Sequence, residues 1–173
     1  MKLRPPYISN MRIIDDFLDT EYHQHLQTVL MGWEFPWYYQ HTLTHGNDDV
    51  QAHGFNHWLT SEGDPDFAQL VATMQSTIKA TECLRVRADM TLYNSEGYRH
   101  AFHVDCEEPH TVCIYYVNDS DGDTIILGDK NEHDIVHVTP KANRLLTFDG
   151  KHMHTGHSPV QHKNRILINA NFH

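Results

Sequence analysis

The segment AFHVDCEEPH, residues 101–110, sets His103 and Asp105 two positions apart. In an extended chain, residues i and i+2 project to the same side, so this spacing aims an imidazole nitrogen and a carboxylate oxygen at one point. Those are two donors for a divalent ion, and a third must come from elsewhere. The dense supply lies downstream in DGKHMHTGHSP, which offers His152, His154 and His157. A closed structural zinc site would want four protein ligands, usually with thiolates. Cys83, Cys106 and Cys113 are not spaced for one. The H-x-D motif alone is weak, because a chain with 16 histidines produces one about once by chance.

Two histidines and one carboxylate on one face leave an octahedral ion with three open positions, the facial arrangement of non-haem Fe(II) oxygenases. A further clue is Arg165, in HKNRILINANF, 11 residues after His154 and at the start of an apolar strand. A guanidinium grips a carboxylate through two parallel hydrogen bonds and keeps its charge in a low-dielectric pocket. An arginine beside an open metal site points to an acidic, metal-chelating cosubstrate.

The elements that must position these residues fall into two regions. The first 82 residues read as a helical support. LDTEYHQHLQTVLM offers Asp19 as N-cap, with Tyr22, Leu26, Val29 and Leu30 on one face. GDPDFAQLVATMQSTIKA offers Asp64 as cap and Pro65 in the first turn, with Phe67, Leu70, Val71, Met74 and Ile78 at helical spacing. Between them WEFPWYYQ is aromatic and broken by Pro36; Trp37, Tyr38 and Tyr39 are read as core or lid rather than as a substrate box.

From residue 83 the period switches to two. LRVRADMTLY puts Leu84, Val86, Ala88, Met90 and Leu92 on one face, and Arg85, Arg87, Asp89, Thr91 and Tyr93 on the other. TVCIYYVN, DTIIL, IVHVTP, NRLLTF and RILINANF follow as strands, separated by turn signals such as NDSDGD and FDGKH. Helices first and many short strands after give an α+β, mainly β chain: a jelly roll covered by N-terminal helices, in a single domain with residues 83–173 as its core. DSDGD is similar to a calcium loop, but Gly122 comes too early and Lys130 stands where the closing acid belongs, so it reads as a hairpin turn.

Composition narrows the class. The 173 residues, 39% hydrophobic and 21% charged, belong to an ordinary soluble globular protein. No run is long enough for a membrane span, and MKLRPPYISN lacks the apolar stretch of a secretion signal. Three cysteines without CxxC spacing argue for a reducing, cytoplasmic setting. A formal net charge of −10 argues against a nucleic-acid partner.

FHVDCEEPHTVCIYYVNDSDGDTIIL, followed by VTPKANRLLTFDGKHMHTGHSPVQHKNRILINANF, resembles the Fe(II)- and 2-oxoglutarate-dependent oxygenases, in particular their prolyl-4-hydroxylase-like subset. The resemblance covers roughly residues 83 to 173. It implies a double-stranded β-helix with iron held by His103, Asp105 and His154. Arg165 would bind the C5 carboxylate of 2-oxoglutarate, and Tyr93, ten residues before His103, would hydrogen-bond the same carboxylate. It also implies O2 as oxidant, ascorbate to keep the iron reduced, and decarboxylation to succinate coupled to oxidation of a C–H bond. The substrate stays open between a peptidyl proline, a free amino acid and another small metabolite. Two other readings stand beside it: an oxygenase acting on nucleic acid, and a cupin-like jelly-roll module that binds without turnover. Asp105 argues against a halogenase, whose site lacks that carboxylate.

Overall fold

A computed structural model describes residues 8–44, 49–60, 64–128 and 134–173. MKLRPPY and Lys130, on which two of the expectations above rest, lie outside them. In chain order the strands are β1 (Arg12–Ile14), β2 (Tyr38–Gln40), β3 (Gly54–Trp58), β4 (Cys83–Leu92), β5 (Thr111–Tyr116), β6 (Thr124–Leu127), β7 (Ile135–Val138), β8 (Arg144–Asp149), β9 (His154–Gly156) and β10 (Asn164–Phe172). Helix α1 (Thr20–Met31) follows β1, and α2 (Ala68–Ile78) follows β3.

Asp19 caps α1 as expected, its carboxylate accepting from the Tyr22 amide at 2.9 Å. Leu26 and Leu30 on its apolar face are fully buried. Asp64 departs from expectation. Its side chain makes no capping bond, because it accepts from the Thr60 amide instead, and the chain enters α2 through a 3-10 turn over Pro65–Phe67. At the far end Lys79 takes the left-handed conformation, φ 58°, and closes the helix without a glycine.

The strands form two antiparallel sheets. One has seven strands in the order β1-β8-β5-β10-β4-β3-β2, and the other has three in the order β7-β6-β9. Ile126 and Val138 from the small sheet pack with Val112, Ile114, Tyr116, Phe148 and Leu167 from the large one, so the two face each other as a double-stranded β-helix. The outer face of the large sheet packs against the helices. Leu26, Leu30, Leu70 and Met74 join Val86, Ala88, Tyr115, Ile166, Ile168 and Phe172 in one cluster.

β1, β2 and β3 come from the region read as helical support, and they extend the large sheet at both of its edges. Strands of three to five residues carry too few alternations to show a period of two. Tyr38 and Tyr39 form the exposed edge strand β2, while Trp37 packs against the helix-side core.

The period of two in β4 and β10 divides their side chains between the two faces. Val86 and Ala88 face the helices, and Arg85, Arg87, Asp89 and Thr91 face the interior between the sheets. In β10, Ile166, Ile168, Ala170 and Phe172 face the helices, while Arg165, Leu167 and Asn169 face inward.

Candidate active site

His103 and His154 are brought together by the backbone. The two residues exchange both amide bonds in an antiparallel bridge: His103 N–H to His154 O at 3.0 Å and His154 N–H to His103 O at 2.9 Å. Directly opposed residues project to one side, and the rings lie 4.7 Å apart between centroids. Asp105 then completes the group: His103 Nε2 is 3.6 Å from Asp105 Oδ1, and His154 Nε2 is 3.8 Å from Asp105 Oδ2. One donor atom from each of the three lies within 4.8 Å of the other two.

The proton positions follow from the partners. His103 Nδ1 is bonded to the Ala101 carbonyl at 3.2 Å and His154 Nδ1 to the His152 carbonyl at 3.1 Å. A carbonyl only accepts, so each Nδ1 carries a proton, and each ring turns its Nε2 toward Asp105. Burial above all pushes the His154 pKa down to about 4, which keeps that ring neutral. Its Nε2 is buried without a hydrogen-bond partner among the described residues. Two imidazole Nε2 atoms and a carboxylate aimed at one spot are the donors that a cation needs. The donor set fits a divalent ion.

Asp105 is held as the anion. Burial works against its charge, but the two imidazoles, Arg85 and Asn171 outweigh it and hold the carboxyl far below the usual range. Arg85 Nη2 approaches Oδ1 at 2.6 Å. The Asn169 and Asn171 amides donate to Oδ2 at 3.1 and 2.9 Å. These donors come from the inward faces of β4 and β10, so the alternation of two strands fixes the orientation of the carboxylate.

Arg165 stands in the same cavity, of about 70 Å³, as His103 and His154. Its side chain is buried and lies over the Tyr116 ring at 5.9 Å. Nη2 donates to Thr124 Oγ1 at 2.7 Å, an oxygen that also accepts from the Tyr116 hydroxyl at 2.6 Å. Two glycines leave room for it. A Cβ on Gly156 would lie 3.0 Å from Arg165 Nη1, and one on Gly122 would lie 3.0 Å from Arg165 Cδ. Among the described residues Arg165 has no carboxylate within ion-pair distance, and its Nε has no partner. A buried guanidinium without a counter-ion is costly, and an incoming carboxylate would relieve that cost.

A second, larger cavity of about 480 Å³ meets the site at His103 and Asp105. Gln40, Trp58, Arg85 and Arg87 line it, and Arg87 also reaches the first cavity. The Arg87 guanidinium packs over the Trp58 ring at 5.6 Å while its Nε pairs with Asp89 at 2.7 Å.

Residues 88–173 match the family model of the 2OG-Fe(II) oxygenase superfamily. Over that segment the chain belongs to the 2OG-Fe(II) oxygenase superfamily. These oxygenases use Fe(II) and 2-oxoglutarate. Solved structures share the fold across most of the chain. A prolyl hydroxylase from Trichoplax adhaerens, in complex with a hypoxia inducible factor peptide fragment, is 17% identical with a TM-score of 0.72, over 94% of this chain and 82% of that one. A prolyl-4-hydroxylase from Pseudomonas putida is 12% identical with a TM-score of 0.67, over 94% and 91%. HygX from Streptomyces hygroscopicus, with nickel and 2-oxoglutarate bound, is 11% identical with a TM-score of 0.67, over 94% and 82%. No curated protein sequence matches the chain.

The oxygenase fold sorts the expected site residues. His103, Asp105, His154 and Arg165 converge. His157 does not join them: it packs against Gly97, and its amide donates to the Asp123 carbonyl. Tyr93 stands apart from this group. It lies one residue beyond the end of β4, is 54% exposed, and does not line the cavity. The strand phase that turns Thr91 inward ends at Leu92, so alternation no longer governs residue 93. Tyr116 and Thr124 stand beside Arg165 instead. The signal for Tyr116 was present in TVCIYYVN, where it shares a face with Val112 and Ile114. Thr124 ends the Gly122-Asp123-Thr124 turn, and its role waits on the pairing of Arg165 with it across the barrel.

Proposed function

We propose that this protein is an Fe(II)- and 2-oxoglutarate-dependent dioxygenase, a hydroxylase of the prolyl-4-hydroxylase-like kind, with His103, Asp105 and His154 as its metal ligands. One observation carries the reading. His103, Asp105 and His154 put donor atoms within 4.8 Å of one another, and the two histidines line a cavity with a buried arginine that has no counter-ion among the described residues. Iron with 2-oxoglutarate supplies the oxidising power when bound, coupling decarboxylation to succinate with oxidation of a C–H bond.

The chain's own residues do the rest. The Ala101 and His152 carbonyls fix the imidazole tautomers. Asn169, Asn171 and Arg85 orient the carboxylate. Arg165, set by Thr124 and Tyr116, holds the distal carboxylate of the dicarboxylate and so fixes its reach toward the ligands. Apolar walls at Ile114 and Leu167 keep that end dry. The substrate enters by the larger cavity at Trp58 and Gln40, which reaches His103 and Asp105 and is not lined by Arg165. Its polar lining suits a peptide segment or a small polar metabolite.

The test is succinate release by protein supplied with Fe(II), ascorbate and 2-oxoglutarate. Slow release without substrate is expected. His103→Ala and Asp105→Ala should abolish it, and Arg165→Ala should show it only at far higher 2-oxoglutarate. Equal rates in the ligand variants would sink the reading.

A further inference from the structure

One side chain in the cavity has no part in the scheme above. His100 is 4% exposed, and neither of its ring nitrogens has a hydrogen-bond partner among the described residues. Its backbone is tightly held. The amide donates to the Gly156 carbonyl at 3.1 Å, and the carbonyl accepts from the Thr155 hydroxyl at 2.8 Å. This pins the residue beside β9 on the strip that carries His103. The ring lines the same cavity as Arg165, Thr124 and His154, with the Tyr98 ring packed edge-on behind it at 4.9 Å.

Leaving a buried polar group unsatisfied is costly, and here both ends of one imidazole are in that state among the described residues. Burial first, and the Arg165 charge second, hold the His100 pKa down at about 4, so the ring is neutral at ordinary pH. A neutral imidazole keeps one N–H to donate. Arg165, in the same cavity and near enough for its charge to bear on His100, also has an unused donor in Nε among the described residues. Two unused donors, one cationic and one neutral, with no acceptor between them, describe a place for an anion with more than one oxygen.

We infer that His100 is a binding residue for the distal carboxylate of the dicarboxylate cosubstrate, donating a ring N–H to it beside the Arg165 guanidinium. The inference rests on the dioxygenase reading and deepens it. The second donor that Tyr93 was expected to supply would come from His100, seven residues later in the chain. The consequence is selectivity for an α-keto acid by its far end. A keto acid with only the chelating end gains nothing from His100.

The experiment is calorimetric titration of the Mn(II)-loaded full-length protein, which reads binding without turnover. Two probes are used: 2-oxoglutarate, and pyruvate, which has the chelating end but no distal carboxylate. Wild type should bind 2-oxoglutarate more tightly than pyruvate. His100→Phe should weaken 2-oxoglutarate on the order of 10- to 100-fold, the worth of a charge-assisted hydrogen bond, and leave pyruvate unchanged. His100→Gln keeps a donor and should recover most of the loss, which also covers the case in which the Phe variant does not fold. An unchanged 2-oxoglutarate affinity in both variants would make His100 a solvated or packing residue and overturn the inference. An equal loss for both probes would overturn it too, by placing the effect at the metal end. Wild type that binds neither probe would instead overturn the dioxygenase reading itself.

Discussion

The two faces of the large sheet are made from the same strands and obey opposite rules. Along β10, Ile166, Ile168, Ala170 and Phe172 disappear into the helix-side core. Arg165, Asn169 and Asn171, one step out of phase, hold polar partners in the interior. The outer face gains stability by removing apolar surface from water. The inner face buries amides, an arginine and a carboxylate, each of which costs free energy unless it is hydrogen-bonded or paired. Stability and function are therefore interleaved at single-residue spacing, and neighbours in sequence should fail in different ways when changed.

The largest effect is expected on the outer face. Phe172→Ala removes a fully buried ring from the helix-side cluster and should cost about 3–5 kcal/mol in urea unfolding. Metal affinity of the remaining folded protein should stay near wild type. If that variant instead lost metal at unchanged stability, the division between faces would be wrong.

Acid should strike the inner face next. His100 is held at about 4 in the fold against an ordinary 6.5, so between those values the unfolded chain takes up a proton that the fold refuses. This share of stability is complete above about pH 6.5 and falls as the pH drops toward 4, by on the order of 3 kcal/mol. Melting of the metal-free protein across that window should show the decline, and His100→Gln should flatten it. Equal slopes in the two proteins would remove His100 from the account.

The smallest effect lies one residue before Phe172. Asn171→Ala takes away one of the two amides on Asp105 Oδ2 and should lower metal affinity roughly 10- to 100-fold. Its unfolding midpoint should move little compared with that of Phe172→Ala. Competition with a metal chelator reads the difference, and an unchanged affinity would show that the asparagines fill space rather than orient the ligand.

Several of these features were legible in the chain itself. The two-residue period of LRVRADMTLY and RILINANF marks which side chains share a face, because alternation is a property of the extended backbone and needs no neighbour. The spacing of His103 and Asp105 and the cap at Asp19 are local in the same sense. Choosing among His152, His154 and His157 was not local, and only the resemblance favoured one of them. The choice was made by an antiparallel bridge between segments 51 residues apart, which sets His154 opposite His103 and leaves His157 against Gly97.

The sequence by itself determined the two alternating faces, the helices and a short roster of candidate donors, all set by covalent geometry within a segment. Only the tertiary structure decided which donors meet, because convergence depends on pairing between strands distant in the chain. It set Tyr93 outside once β4 ended, and put Tyr116 and Thr124 beside Arg165. It also left the His100 ring without a partner inside the cavity, since whether a buried polar group is satisfied is a fact about its neighbours and not about its own residue type.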